Sequence, residues 1–430
     1  MNKRAVIYTL GCRLNCADTA LLVSRLENAG FTVLPESSPA FDLAVINSCA
    51  VTAEAVRKSC QTLRRLKKEN PGARFLVTGC AVEVNAEKFK TDGADFILTN
   101  PDKKDLESIL SGMPAENRKS LDFDQNFKEN AFSKFPFRSR AFVKIQEGCN
   151  NYCTYCIVPY VRGRERSRCF TEVLDDCRQL VDAGFPELVL TGVNTCAYND
   201  DGRLLGDLIR KIAEIPGDFR IRLSSTEPHM NNRSLIKIMA NTPKICRFLH
   251  LSLQHGCDRI LKAMNRKYLS SEFADFVYEA REMIPGLHIG TDIIAGFPGE
   301  TEDDFNICAD FVNRMKFANQ HVFTYSPRPG TPASEMPDRP DRKTAERRAA
   351  VLRKIGEENK KSFIRSQLGK ELQVVWETVS AGICHGWSDH YIPVAVPQHE
   401  AVPGRISTVL ATEKNLGLEK MKIRQSNTVE

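Results

Sequence analysis

The chain has 430 residues, 42% of them hydrophobic and 27% charged, which is the composition of an ordinary globular protein and excludes a disordered or fibrous one. Its length predicts about three domains. The formal net charge of +6 excludes a surface coated in positive charge but allows local patches that bind polyanions.

The 15 cysteines are an odd number, which argues against a complete disulfide framework. The apolar run after Arg4 ends at Leu10 and is shorter than the core of a secretory signal, which spans roughly 7–15 residues. No segment reaches the ~20 apolar residues of a membrane span. We therefore expect a cytoplasmic protein, without a membrane partner, whose reduced thiols are available for metal.

The first part of the chain alternates short apolar strands with helices. Strands are predicted at 4–10, 31–34, 43–46 and 75–78, and helices at 18–29 and 53–68. We expect Asp18 to cap the first helix, because a carboxylate can accept hydrogen bonds from free backbone amides. This alternation predicts an α/β domain with a doubly wound parallel sheet.

Three cysteines of this domain, Cys12, Cys49 and Cys80, each lie at the carboxyl end of a predicted strand. Ligands of open α/β sheets bind at that edge, so the three thiols can meet there and hold an iron–sulfur cluster with one open iron. The alternative is that they are buried core cysteines, and periodicity leaves both interpretations open. Cys16 and Cys60 fall within predicted helices, away from this edge.

A second alternating series begins at Ala141, after a polar stretch at 112–140 that we interpret as a linker. Strands are predicted at 141–146, 187–191, 219–223, 248–253, 287–294 and 320–325. Helices are predicted at 171–183, 203–213, 231–240, 257–264, 270–284 and 301–314. Six such units predict an incomplete parallel (β/α)6 barrel that works at the carboxyl ends of its strands.

Cys149, Cys153 and Cys156 follow the first strand of this series at positions i, i+4 and i+7. Three thiolates at this spacing can each hold one iron of a cubane cluster, leaving the fourth iron open for a ligand. A structural zinc site or a chance group of core cysteines are the alternatives. Zinc sites usually add a second Cys or His pair downstream, and none follows Cys156 at that spacing.

Polar and glycine residues follow successive barrel strands: Gly192, Asn194, Ser225, Gln254 and Asp292. Each alone is typical of a strand-to-helix turn, but their recurrence favours a shared binding site at one mouth. Tyr155, inside the cysteine loop, can lie against a flat ring of a bound ligand or simply pack as an aromatic.

The chain ends with a long charged helix at about 342–366 and short strands at 372–378, 390–396 and 404–410. Glycine and proline turns between these strands predict a small all-β barrel. Trp376 and Trp387 offer aromatic faces there, although we expect at least one of them to lie in the core.

Two groups of basic residues could contact phosphates. For Arg57, Lys58, Arg64, Arg65, Lys67 and Lys68 we slightly favour a solvated helix face instead. For Arg162, Arg164, Arg166 and Arg168 we favour a phosphate-binding surface, because their alternation places them on one side of an extended segment.

These features together resemble the tRNA methylthiotransferases of the radical S-adenosylmethionine (SAM) superfamily over almost the whole chain. The resemblance rests on Gly11-Cys12-Arg13-Leu14-Asn15, Asn47-Ser48-Cys49-Ala50-Val51-Thr52, Thr78-Gly79-Cys80, Cys149-x-x-x-Cys153-x-x-Cys156 and Arg162-Gly163-Arg164-Glu165-Arg166-Ser167-Arg168. Within the family, Ala50-Val51-Thr52 and Tyr325-Ser326-Pro327-Arg328-Pro329-Gly330-Thr331 look most like the branch that acts on N6-threonylcarbamoyladenosine.

The resemblance implies two 4Fe-4S clusters, one on Cys149, Cys153 and Cys156 and an auxiliary one on Cys12, Cys49 and Cys80. It implies that SAM bound at the first is cleaved to a 5′-deoxyadenosyl radical, while the second carries the sulfur that enters C2 of adenine 37 in tRNA, beside the anticodon. The chemistry then belongs to the cofactors, with no side chain needed as a general base. We expect SAM contacts from Tyr155, Gly192, Asn194, Ser225, Gln254 and Asp292.

The implied domain layout is a methylthiotransferase domain at 1–115, a linker at 116–140, a radical SAM domain at 141–365 and an RNA-binding TRAM domain at 366–430. The implied partners are the tRNA anticodon loop, an electron donor such as flavodoxin or ferredoxin, and a sulfur donor. Three alternatives are open: methylthiolation of N6-isopentenyladenosine, methylthiolation of a protein side chain, and a non-catalytic RNA-binding iron–sulfur sensor.

Overall fold

The structure, a computed structural model, describes residues 3–110, 139–227 and 233–418. The predicted linker at 116–140 lies outside these ranges except for its last two residues. Across the described ranges, every helix falls short of the length and apolarity needed to cross a membrane.

The first domain is built on a five-stranded parallel sheet in the order β2-β1-β3-β4-β5. Its strands are β1 (Lys3–Thr9), β2 (Phe31–Leu34), β3 (Leu43–Ser48), β4 (Arg74–Gly79) and β5 (Phe96–Leu98), and its helices are α1 (Arg13–Asn28), α2 (Ala53–Glu69), α3 (Cys80–Thr91) and α4 (Leu106–Leu110). Helices α1 and α4 pack on one face of the sheet and α2 and α3 on the other, so the predicted α/β architecture is confirmed. The strand order reverses between β1 and β3, and such switch points are where open α/β sheets bind ligands.

Helix α1 begins five residues earlier than predicted, and the expected cap at Asp18 is wrong. Asp18 lies inside the helix, fully buried, with its carboxylate 2.6 Å from the ammonium groups of both Lys103 and Lys144. These partners are 85 and 126 residues away in sequence, so no local pattern could reveal that the carboxylate is paired in the interior.

The central domain contains six successive parallel strands in chain order. They are β6 (Arg140–Lys144), β9 (Glu187–Thr191), β12 (Arg220–Leu223) continued by β13 (Ser225–Thr226), β14 (Phe248–Gln254), β15 (His288–Ala295) and β16 (Asn319–Thr324). Only Ser224 separates β12, which pairs with β9, from β13, which pairs with β14, so the third strand is bent. No pairing joins β6 to β16 among the described strands, and the barrel is therefore open.

Helices cover the outside of these strands. They are α5 (Val158–Arg162), α6 (Phe170–Asp182), α7 (Leu205–Ala213), α8 (Arg233–Ala240), α9 (Asp258–Ala263), α10 (Ser270–Met283), α11 (Glu302–Met315) and α12 (Arg342–Arg365). Short antiparallel pairs join β7 (Gln146–Glu147) to β8 (Arg166–Ser167) and β10 (Asn199–Asp200) to β11 (Arg203–Leu204). Helix α1 of the first domain packs against β6, and its Ala17 and Ala20 belong to the barrel core, so the two domains share a hydrophobic interface.

The C-terminal part is a four-stranded antiparallel sheet in the order β19-β18-β17-β20. Its strands are β17 (Glu371–Ser380), β18 (Ile383–Ser388), β19 (Pro393–Pro397) and β20 (Ile406–Leu410). Strand β18 is not among the predicted strands, because Cys384 and Gly386 interrupt the usual β-branched alternation there. Trp376 is fully buried in the core of this sheet.

An arginine cluster docks this sheet on the amino ends of the barrel strands. Arg220 and Arg222 of β12 both bind the carboxylate of Glu187, at 2.6 and 2.8 Å. The same guanidinium groups donate to the backbone carbonyls of Gln373 and Trp387 (Arg220) and of Ser388 (Arg222). The sheet therefore lies at the barrel end opposite the carboxyl ends of the strands.

Candidate active site

A cavity of about 520 Å³ opens at the carboxyl ends of the barrel strands and is shared by the first two domains. This volume is within the range of small-molecule and cofactor sites. Its lining includes Cys12, Cys49, Val51, Cys149, Asn151, Cys153, Tyr155, Cys156, Asn194, Ser225, Glu227, Gln254, Arg266, Asp292, Phe323 and Tyr325. Five of the six cysteines singled out in the sequence thus face one space.

The loop from Cys149 to Cys156 is fixed by its own backbone. Gly148 has a φ of +72°, and a Cβ there would overlap the carbonyl of Arg164, so the start of the loop requires glycine. The amide of Cys149 donates to Gly163 at 3.2 Å, and that of Cys156 donates to Cys153 at 2.9 Å. The three thiols are therefore held at one wall of the cavity before any ligand binds.

Burial, together with a smaller effect of the neighbouring thiols, raises the pKa of the Cys149 thiol to about 11 and that of Cys156 to about 12. Three clustered thiols favour a soft metal, because each thiolate needs a cation to offset its charge in this buried setting. The set fits the cluster that the spacing predicts.

Arg266 places a charged group at one sulfur of this loop. Its guanidinium donates to the sulfur of Cys153 at 3.2 Å and forms an ion pair with Glu227 at 2.6 Å. Glu227 also accepts hydrogen bonds from Asn151 and, at 3.2 Å, from Asn194. Neither Arg266, which lies more than 100 residues beyond the loop, nor Glu227 is among the site residues predicted from the sequence.

The second set of cysteines comes from three separate loops at the carboxyl edge of the first sheet. Cys12 occupies the N-cap of α1, Cys49 follows β3, and Cys80 begins α3. Cys12 and Cys80 therefore lie at the positive ends of helix dipoles, which favour thiolates. Gly11 has a φ of +99°, and a Cβ there would lie 2.7 Å from the sulfur of Cys49, so glycine lets these loops converge.

The three thiols are close enough for their charges to act on one another. Burial raises the pKa of Cys49 to about 12 and also raises that of Cys12. Cys12 and Cys49 line the cavity, whereas Cys80 is buried behind them. This second set has the same donor chemistry as the first and fits a second cluster facing the same space.

Five of the six residues predicted to contact a cofactor line the cavity: Tyr155, Asn194, Ser225, Gln254 and Asp292. Gly192 is not among the lining residues; it packs against Gln146, where a Cβ would lie 2.9 Å from the side-chain oxygen. Gln254 has a φ of +70° at an irregularity in β14, a strained conformation that is common at functional sites.

His250, Asp292 and His321 also come together on adjacent barrel strands, with ligand atoms within 4.8 Å of one another. The imidazole of His250 lies 3.3 Å from the carboxylate of Asp292. The positive charges of Arg13 and Lys360 act on His321, which disfavours a divalent cation. We therefore describe the two histidines as support for Asp292 and assign no metal to the group.

The prediction that Arg162, Arg164, Arg166 and Arg168 form a phosphate-binding surface is wrong for Arg162 and Arg168. The Arg166 side chain is only 10% exposed and lies 3.6 Å from the carboxylate of Glu147. Arg162 and Arg168 are each only 1% exposed. Arg168 forms an ion pair with Asp176 at 2.8 Å, and Arg162 points into the interface between the first two domains. Alternation along the segment could not reveal these distant carboxylates, whereas Arg164 is exposed as expected.

The basic residues of α2 are exposed, and several pair locally, as Arg57 does with Glu54 at 2.6 Å. This agrees with the solvated helix face favoured from the sequence. Trp376 is a core residue and cannot contact RNA. Trp387 is half-buried and stacks on Tyr391, with ring centroids 4.6 Å apart.

Comparison with known proteins gives two matching family descriptions. Residues 143–312 match the Radical SAM superfamily, and residues 4–99 match the family described as Uncharacterized protein family UPF0004. The two matches coincide with the two parts of the chain that bring cysteines to the cavity.

Curated relatives extend over nearly the whole chain. A protein of Thermotoga maritima named Threonylcarbamoyladenosine tRNA methylthiotransferase MtaB is 33% identical over 94% of this chain and 92% of its own length. The Bacillus subtilis protein of the same name is 34% identical over the same shares. A Carboxydothermus hydrogenoformans protein named tRNA-2-methylthio-N(6)-dimethylallyladenosine synthase is 37% identical over 81% of this chain and 82% of its own length.

Among solved structures, the radical S-adenosylmethionine methyltransferase TsrM from Kitasatospora setae aligns over 78% of this chain and 77% of its own. The TM-score is 0.58 and the sequence identity 14%, so this likeness concerns the fold alone.

Proposed function

The chain belongs to the tRNA methylthiotransferases of the radical SAM superfamily, and we propose that it inserts a methylthio group at C2 of N6-threonylcarbamoyladenosine 37 in tRNA. The observation that carries this proposal is the convergence of two three-cysteine sets, from two domains, on one cavity. The relatives that cover 94% of the chain bear the name of this reaction.

In this proposal, Cys149, Cys153 and Cys156 hold one 4Fe-4S cluster, and Cys12, Cys49 and Cys80 hold the auxiliary one. Each set supplies three thiolates, which leaves one iron of each cluster without a protein ligand. The bound groups supply radical cleavage of SAM and the sulfur for insertion, chemistry that amino-acid side chains alone do not provide.

The side chains of the cavity then have binding and orienting tasks. Tyr155 offers an aromatic face, and Asn194, Ser225, Gln254 and Asp292 offer hydrogen-bonding groups to SAM. Glu227 is anchored by Arg266 and by two asparagines, so its carboxylate is fixed beside Cys149 and Cys153. A fixed geometry of this kind keeps the reacting atoms aligned, which matters because a radical attacks whatever lies nearest.

Substrate access follows from the same arrangement. The target base must lie between the two cysteine sets, at the junction of the first two domains. Val51 and Phe323 line the cavity and are 53% and 42% exposed, so they offer apolar surface at its opening. We assign the domains as 1–115 for the auxiliary cluster, 141–365 for the radical SAM barrel and 366–430 for an RNA-binding TRAM barrel.

The partners in this proposal are the anticodon loop of tRNA, a low-potential electron donor such as flavodoxin or ferredoxin, and a sulfur donor. Each redox partner must reach a cluster, and the cavity gives both cysteine sets access from one opening.

The substrate is tested by nucleoside mass spectrometry of tRNA from a deletion strain. We expect the methylthio form of threonylcarbamoyladenosine to vanish while the unmodified precursor accumulates. Complementation with the parent gene should restore it, and a variant with all six cluster cysteines replaced should not.

Methylthiolation of N6-isopentenyladenosine is the second candidate, favoured by the 37% identity to the dimethylallyladenosine synthase over 366 residues. Loss of the methylthio form of isopentenyladenosine, with the threonylcarbamoyl form unchanged, would establish that reaction instead. Unchanged levels of both nucleosides would contradict either substrate.

A further inference from the structure

Arg162 belongs to the cysteine-loop segment of the second domain, yet its side chain contacts a cysteine of the first domain. It closes α5, which begins two residues after Cys156. Its Nε donates to the sulfur of Cys80 at 3.1 Å. The segment from Cys149 to Arg162 therefore carries three thiols of one set at its start and a hydrogen bond to the other set at its end.

The remaining donors of Arg162 fix its guanidinium in place. One terminal nitrogen donates to Glu147 at 2.6 Å, and the other donates to Asn15 at 2.6 Å and lies 2.9 Å from Asp18. With 1% exposure, the group cannot swing into water. Its charge is therefore a permanent part of the site around Cys80.

Arg328 is a second buried cation at the same set of thiols. It follows β16 and is 5% exposed. Two residues before it, the hydroxyl of Ser326 accepts a hydrogen bond at 3.1 Å from the amide of Ala53, the first residue of α2 after Cys49, and the Arg328 charge acts on the Cys49 thiol. Its Nε has no hydrogen-bond partner among the described residues. A buried guanidinium nitrogen without a partner is costly, which points to an anionic neighbour absent from the protein atoms alone.

Three cysteine thiolates and a 4Fe-4S core carry a net negative charge, which becomes larger on reduction. Hydrogen bonds to the ligand sulfurs and nearby positive charges stabilise the reduced form and raise the potential. Both cations come from the barrel domain, although all three thiols come from the first domain.

We propose that Arg162 and Arg328 are positioning residues for the auxiliary cluster, raising its reduction potential through a hydrogen bond to Cys80 and a charge beside Cys49. This inference rests on the proposed function, because it requires a cluster on Cys12, Cys49 and Cys80. Docking of the barrel domain thereby sets the electronic state of a cluster that another domain ligates.

The test uses the full chain carrying Cys149→Ala, Cys153→Ala and Cys156→Ala, so that only the auxiliary cluster forms. Its midpoint potential is measured by redox titration with electron paramagnetic resonance. Arg162→Gln removes the charge but keeps a hydrogen-bonding side chain, and we expect at least a tenfold loss in the reduction equilibrium constant, which is about 59 mV for one electron. Arg328→Gln should shift the potential in the same direction.

Arg168→Gln is the matched control, because Arg168 is equally buried and its guanidinium forms an ion pair with Asp176 on α6. It should leave the potential unchanged. Arg162→Lys, which keeps the charge but loses the fork geometry, should give a smaller shift than Arg162→Gln. Full cluster loading in Arg162→Gln and Arg328→Gln with no shift in potential would overturn the inference.

A second measurement needs no change at Arg162. The same triple-alanine protein, labelled with ¹⁵N-arginine, should show a ¹⁵N coupling to the reduced cluster in pulsed electron paramagnetic resonance. Absence of that coupling would refute the hydrogen bond to Cys80, even where an Arg162 variant fails to fold. Failure of any cluster to assemble on the unmutated auxiliary cysteines would instead refute the proposed function.

Discussion

The two cysteine sets reach the same cavity by opposite routes. Cys149, Cys153 and Cys156 lie within one loop of one domain, and backbone hydrogen bonds within that domain arrange them. Cys12, Cys49 and Cys80 come from three loops, and the register of β1, β3 and β4 brings them together. The local set depends on a short motif, whereas the dispersed set depends on a whole sheet and on a neighbouring domain.

Each set also has a buried arginine at one sulfur, but the two arginines differ in their surroundings. Arg266 reaches Cys153 from within the same domain, and Glu227 accompanies it. Arg162 reaches Cys80 across a domain interface, within a network that includes Asp18 and Glu147. The local site can therefore be assembled by one domain, whereas the dispersed site is completed only when two domains dock.

Removing a thiol of the local set should have the largest effect. Cys153→Ala should abolish SAM cleavage, because the remaining two thiolates cannot hold a stable cluster with one open iron. The measurement is 5′-deoxyadenosine formed in the presence of dithionite. Cys384→Ala, which replaces a buried cysteine of the C-terminal sheet, should keep the parent rate. Undiminished cleavage by Cys153→Ala would contradict the assignment of the local set.

Removing a thiol of the dispersed set should separate the two activities. Cys49→Ala should abolish methylthio insertion into tRNA yet retain SAM cleavage, because the local cluster is intact. The matched control is Cys60→Ala, a buried cysteine of the same domain that lies within α2. Loss of SAM cleavage together with insertion, in a protein that melts normally, would show that the two sets do not act independently.

The Glu227→Gln variant should weaken SAM binding by about 10–100-fold, because hydrogen bonds to charged groups contribute about 1.5–3 kcal/mol. The change leaves Arg266 without its carboxylate beside Cys153. Isothermal titration with SAM measures the effect on the reconstituted protein. Glu165→Gln, an exposed carboxylate close in sequence to the same loop, should bind SAM like the parent. A change of less than about twofold for Glu227→Gln would remove it from the binding site.

The smallest effect on the two sites should come from Glu187→Gln, at the opposite end of the barrel. The change breaks buried ion pairs with Arg220 and Arg222 and should cost about 3–5 kcal/mol of unfolding free energy. Iron content and SAM cleavage should remain at parent levels below the melting transition. A selective loss of one cluster would show that this distant interface supports that site.

The stability difference between the parent protein and Glu187→Gln should depend on pH. Burial alone would raise the pKa of Glu187, but the positive charges of Arg222 and Arg220 hold that pKa well below its usual range. The ionised carboxylate therefore stabilises the fold above its unfolded pKa, about 4.3, and this contribution is lost as the pH falls below that value. Denaturant unfolding at pH 7 and pH 3 should show a smaller stability difference between parent and variant at the lower pH.

Much of the fold could be predicted because strands and helices alternate regularly in the sequence. The six barrel strands and the parallel sheet of the first domain follow from that alternation, and the three sheet-edge cysteines follow from where the strands end. The errors concern charged residues whose partners lie on other elements of the fold. Asp18, Arg162 and Arg168 each look like surface residues locally, and each is buried against an opposite charge from another element.

The residues that line the cavity also divide into those that could be predicted from the sequence and those that could not. Asn194, Ser225, Gln254 and Asp292 could be predicted because a parallel barrel brings its strand ends to one mouth. Arg266 could not be predicted in this way, because it follows α9 and its role depends on a contact with Cys153 across the cavity. Sequence periodicity locates strand ends, but it does not reveal which side chains of later loops contact the residues at those strand ends.

We expect this chain to hold two separate clusters at one cavity, each with one iron that has no protein ligand. The iron content of the protein is the most direct test of this expectation. The parent protein and two triple-alanine variants, one for each cysteine set, are reconstituted without oxygen, and iron and sulfide are counted per chain. We predict about eight iron atoms in the parent and about four in each variant. If the parent protein holds about four iron atoms, and still holds about four after Cys12, Cys49 and Cys80 are replaced, then these three cysteines hold no cluster and the proposal is contradicted.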